Sequence, residues 1–299
     1  MIRTINSWLN WLILLTPRWL LALLLIPILY LIGWTKAQLL TLVGLPNSAV
    51  SLIGTLFSFL MFLLLMPRWI SLRWRNKQPW VVLGLRRGGP DQPSRPKALL
   101  RGLLWSGLLL AMVVIPLLLG HWAHFQRAES VHLLLDAFVL LFVVGLAEEL
   151  LFRGWIWEEL NQLLGAKAGV IGQAAIFSLV HTRFNVSFWP MLGLLSGLFL
   201  LGLVLALRRR LDYGSLWGCV GLHGGLISGW FLLEKGILQL SSDAPAWLIG
   251  PGGSNPNPLG GIVAIGTLTF LLWRQRAAVA NTLFPSSGSR NAFRGEVIP

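Results

Sequence analysis

Two adjacent carboxylates and a guanidinium, in the run Glu148-Glu149-Leu150-Leu151-Phe152-Arg153, interrupt a long apolar stretch, and His181 and His223 interrupt two later ones. A charge at bilayer depth costs about 3 kcal/mol even on the mildest insertion scale, so ionisable residues there mark function first. Glu149 and Arg153 are four residues apart with the acid N-terminal, which places them on one helix face in the favourable order for an ion pair. Glu148 projects roughly 100° away, and its neighbours four residues on either side, Val144 and Phe152, are apolar. A buried carboxylate without a partner suits general-base or proton-carrier chemistry. The two histidines end Phe177-Ser178-Leu179-Val180-His181 and centre Gly221-Leu222-His223-Gly224-Gly225. One free carboxylate and two imidazoles on three separate helices could converge on a water.

The same trio would also serve as a zinc set, although the histidines lack the short HExxH spacing. We therefore expect no metal, with zinc as the minority alternative. A proton relay in a transporter is a third use of Glu148 and His181, but no inverted repeat accompanies it. His121, His124 and His132 fall in or beside a loop and read as interfacial residues.

The elements that must position these groups are apolar helices. Of 299 residues 55% are hydrophobic and 12% charged, and the mean hydropathy of +0.71 excludes an ordinary soluble domain. The net charge of +13 comes from basic residues flanking apolar runs. That arrangement fits loops facing anionic lipid and not nucleic acid, for which no reading motif is present. The lone Cys219 has no disulfide partner within the chain.

Ile5 to Thr16, with Trp8 and Trp11, reads as an interfacial amphipathic helix. Spans follow at about Trp19–Trp34, which reads as a retained anchor and not a cleaved signal, and at about Ala49–Met66. Pro67 to Arg101 is expected to be a solvated basic loop. Further spans are expected at about Leu103–Trp122, from Val131 with an extension to Leu164, Gly169–His181, Phe188–Leu207, Leu216–Leu233 and Gly260–Trp273. Gly165 should end the fourth, and the glycines of the seventh should permit close helix approach. Of the 24 Lys and Arg, alternation across eight spans leaves only Lys36, Arg127, Arg183 and Lys235 on the side opposite the N-terminus. The positive-inside bias then puts both termini in the cytoplasm.

The fold expected is an all-α polytopic transmembrane bundle of about eight spans. Residues 1–101 would form an accessory region, 102–276 the main domain and 277–299 a disordered tail.

Glu148-Glu149-x-x-x-Arg153, Phe177-x-x-x-His181 and His223, each on a predicted span, resemble the three motifs of the CAAX-protease and bacteriocin-processing (CPBP) family of intramembrane proteases. The resemblance covers roughly Val131 to Leu233. It implies a helix bundle around a polar intramembrane cavity, in a bacterial-type inner or thylakoid membrane, and metal-independent, glutamate-based hydrolysis of a membrane-associated peptide or protein. By resemblance, Glu148 would activate water, His181 would bind and orient it, Glu149 and Arg153 would support, and His223 would sit at the oxyanion hole. The sequence departs from the family at Ile227, where the third motif usually carries Asn or Asp. Ser228 is rotated away from that position, and Asn255 or Asn257 could replace it only if their loop folds inward. The departure also admits a non-catalytic scaffold or adaptor.

Overall fold

The computed structural model describes residues 2–126, 130–251 and 256–283. It divides into two compact units, the second beginning at Leu83.

The first unit is a helical hairpin with a short docked helix. Helix α1 (Ile2–Ile13) carries the exposed Trp8 and Trp11, whose rings meet edge to face at 5.8 Å. Helices α2 (Arg18–Leu40) and α3 (Val50–Arg73) pack where both chains have glycine. A Cβ on Gly54 would stand 2.9 Å from Trp34 Cα. Ser58 Oγ bridges the pair by donating to Leu29 O at 3.0 Å. Arg73 closes the end of α1 by donating to Ile13 O (3.3 Å), a carbonyl that the helix C-terminus leaves open, and it also donates to Arg18 O in the first turn of α2 (2.8 Å). The expected loop from Pro67 is thus helical as far as Arg73. Met66, Trp69, Ile70 and Arg73 form one buried stripe, and that burial holds the helix past a proline.

The second unit holds the longer helices α4 (Arg95–Leu119), α5 (Val131–Leu164), α6 (Ala166–Leu179), α7 (Phe188–Leu211), α8 (Trp217–Leu232), α9 (Ile262–Arg274) and α10 (Arg276–Leu283). One small antiparallel ladder pairs β1 (Ala123–Phe125) with β2 (Leu238–Leu240). Among the described residues, α2, α3, α4, α5 and α7 are long and apolar enough to cross a membrane, while α6 and α9 are shorter apolar helices. The all-α expectation holds. Five such helices are described where eight spans are expected, and one side of α4 is a stripe of exposed Leu104, Leu108, Met112, Ile115 and Leu119.

The second unit takes in residues 83–101. Leu83 is fully buried, Gly84 O accepts from Leu216 N at 3.0 Å, and Trp217 Nε1 donates to Leu85 O at 3.2 Å. These contacts tie the segment to the start of α8. The expected disorder after Arg276 is also corrected in part. The alanine-rich run 276–283 forms α10 because its intrinsic propensity is high, and 284–299 lie outside the described residues.

Helix α5 starts under a Ser130 cap, whose Oγ accepts from His132 N at 3.2 Å, and ends at Gly165 with φ +87°. Between these ends it widens to π-helical turns at Val139–Val144 and Leu150–Ile156, on either side of Gly145–Glu149. Such wide turns recur at functional sites because they rotate side chains out of the regular phase. Helix α8 packs backbone to backbone on two neighbours. A Cβ on Gly145 would stand 2.8 Å from Gly224 Cα, and Gly102 and Gly221 meet in the same way where α4 crosses. These approaches bring His223 within reach of α5.

Candidate active site

The structure gathers Glu148, Glu149 and Arg153 from α5, His181 from just beyond α6, and His223 from α8 into one cluster. Glu149 and Arg153 are fully buried. Arg153 Nη1 donates to Glu149 Oε1 at 2.9 Å, and His223 Nδ1 lies 2.8 Å from the same oxygen. The sequence pairs Glu149 with Arg153 alone; in three dimensions His223 makes it a three-member unit. A carboxylate can only accept, so His223 Nδ1 carries the hydrogen and Nε2 is left to face the site.

His181 is oriented by the same logic. Its Nδ1 is 2.6 Å from Phe177 O, a backbone acceptor, so its Nε2 also faces inward. Both Nε2 atoms look at Glu148 Oε2, from 3.6 Å for His181 and 3.8 Å for His223. Neither distance is a direct hydrogen bond. The Glu148 side chain is 28% exposed and that of His181 33%, against 4% for His223. The cluster therefore has a wet side bearing Glu148 and His181 and a dry side bearing Glu149, Arg153 and His223. Glu148 Oε2, Glu149 Oε2, and Arg153 Nε and Nη2 are buried without a hydrogen-bond partner among the described residues.

Sequence reasoning treats Phe177 as a motif position and misses its contacts. Its buried ring lies 4.1 Å under the Arg153 guanidinium and meets Phe152, His181 and His223 edgewise at 5.1, 4.8 and 5.3 Å. It thus packs against Arg153 and both imidazoles and also provides the carbonyl that sets one of them. The four-residue spacing to His181 was the available signal. Arg209 is likewise missed. It is buried at the end of α7 and donates to Arg153 O, within the second wide turn of α5. It also donates to Gly214 O at 3.3 Å.

One helical turn past His223, Ile227 faces a cavity of about 360 Å³ lined by α4, α8, α9 and residues 256–259, with Asn257 in its wall. Glu148, His181 and His223 are not among its lining. Asn255 lies outside the described residues, and Ser228 is buried on another face of α8. His124 is on β1 and His132 in the first turn of α5. Among the described residues, no group of three or more His, Cys, Asp or Glu side chains is arranged to hold a metal ion.

Residues 3–78 match a domain of unknown function (DUF8676), a range lying within the first unit. Residues 130–227 match the model of type II CAAX prenyl endopeptidase Rce1-like proteins, spanning all five clustered residues. No curated protein and no solved structure matches the chain. Residues 130–227 of this helix-bundle membrane protein are thus similar to the type II CAAX prenyl endopeptidase Rce1-like family, a match that supports membership of the wider CAAX-protease (CPBP) family.

Proposed function

We propose that the protein is an intramembrane endopeptidase in which Glu148 activates a water to hydrolyse a peptide bond of a membrane-associated protein or peptide. The observation that supports this best is the pair of imidazole Nε2 atoms facing one carboxylate oxygen, each ring already oriented through its Nδ1. Gaps of 3.6 and 3.8 Å are joined by one water seated off the line between them.

In this reading His181 holds the water and Glu148 takes a proton from it. The water oxygen then bonds to the peptide carbonyl carbon, whose π pair moves onto the carbonyl oxygen. His223, kept in orientation by Glu149, donates to that oxyanion when its Nε2 carries a proton. Collapse of the intermediate breaks the C–N bond, and the proton held by Glu148 passes to the leaving amine. The reaction consumes one water and needs no metal. Both termini lie in the cytoplasm, and the basic loops bind anionic lipid.

The test is cleavage of a peptide library by the purified protein. Activity should vanish in Glu148→Ala and persist in EDTA; loss in EDTA would replace this mechanism with a zinc one. Ile227 favours a second reading, a scaffold that holds a membrane partner in the same place. That reading wins if Glu148→Ala leaves the cellular phenotype intact while deletion of the protein does not.

A further inference from the structure

We propose that Asn257, from the segment before α9, donates the amide hydrogen bond to the oxyanion that Ile227 cannot provide; this rests on the hydrolytic reading above. The two side chains line the same cavity, although 30 positions apart in sequence. Ile227 lies four residues beyond His223, about 6 Å along α8. The cavity is therefore one turn from the imidazole assigned to the oxyanion.

Asn257 is held, not merely nearby. Its backbone N–H donates to Pro251 O at 3.0 Å, and the preceding Pro256 O accepts from Trp230 Nε1 at 2.9 Å. Beyond it, Leu259 O is seated so closely on α7 that any side chain at Gly197 would collide with it. The carboxamide itself is oriented because Oδ1 accepts from Leu259 N at 3.1 Å. That bond commits the acceptor and leaves the Nδ2 hydrogens with no acceptor among the described residues.

Arg183 and Lys235 also line the wall, as cations, and two of the wall's donors are engaged within the protein. Thr267 Oγ1 donates to Val263 O at 2.7 Å, and Lys235 Nζ to Glu234 at 2.9 Å. Apart from Arg183, Glu234 and Lys235, the remaining wall is leucine, valine, proline, alanine and aromatic carbon. A fixed neutral donor in such surroundings is what a developing oxyanion needs, since a dry site strengthens the bond and little reorganisation is required.

Asn257→Asp separates the donor from the fold, because aspartate keeps an oxygen for Leu259 N–H and removes the Nδ2 hydrogens. The full-length protein in proteoliposomes is given a mixed library of short apolar peptides, and kcat and KM are measured on the best-cleaved one. Asn257→Asp and Asn257→Ala should each lower kcat about 10²-fold at nearly constant KM. Ile227→Asn in the Asn257→Ala background should recover at least about ten-fold of that loss. Wild-type kcat in Asn257→Asp, or a loss confined to KM, overturns the proposal. A loss that Ile227→Asn leaves unrepaired, with an equal fall in thermal stability, also overturns it. If wild type cleaves nothing, or Glu148→Gln cleaves as wild type does, the hydrolytic reading fails and takes this inference with it.

Discussion

Adjacent glutamates with opposite burdens should respond to the same substitution in opposite ways. Glu149 is fully buried and shares one oxygen between Arg153, also fully buried, and His223. Replacing it by alanine leaves the Arg153 guanidinium in the core without its counter-charge. Breaking a buried pair from one side costs about 3–5 kcal/mol. At about 2–4 °C per kcal/mol for a domain of this size, Glu149→Ala should lower the melting temperature in detergent by about 10 °C. Glu148 is partly exposed and makes no direct hydrogen bond, its nearest imidazole nitrogen being 3.6 Å away. Its loss should cost about 1 kcal/mol or less, and Glu148→Ala should melt within about 3 °C of wild type while losing cleavage. Thermal unfolding followed by intrinsic tryptophan fluorescence reads the difference directly. Equal melting shifts in the two variants would refute the division into a structural and a chemical glutamate, as would a Glu149→Ala protein as stable as wild type.

Other residues extend the test. Gly145→Val puts a branched side chain where even a Cβ lies 2.8 Å from Gly224 Cα; it should part α5 from α8 and abolish cleavage, and a cysteine pair reporting the α5–α8 distance checks this. Phe177→Leu keeps the backbone carbonyl that orients His181 but removes the ring 4.1 Å from Arg153. About 1–2 kcal/mol of stability should go with it, measured by the same thermal assay, and a fully neutral effect would sink the role given to the ring.

The charges of Glu148, Glu149 and Arg153 and the positions of His181 and His223 were legible because ionisable residues stand out against apolar spans. The spacing of four also made the Glu149–Arg153 bond readable, since neighbours on a helix are local in sequence. The helices themselves followed from apolar length, and Gly165 marked the end of α5. The segment 67–73 and the run after Arg276 were misread for one reason. Their helicity depends on a buried stripe in the first case and on alanine propensity in the second, and basic or polar composition masks both.

What the sequence by itself determined was a bundle of apolar helices with a short set of side chains unsuited to lipid. Only the tertiary structure decided which of those side chains share an atom. His223 meets Glu149 across 74 positions because two glycines let α8 and α5 approach backbone to backbone. The wide turns that re-aim α5 arise from packing that no periodicity records. Ile227 and Asn257 face one cavity because residues 256–261 fold against glycines of α7 and α8's Trp230. Such encounters are absent from local pattern, since burial and close approach are properties of pairs of elements and not of either one alone.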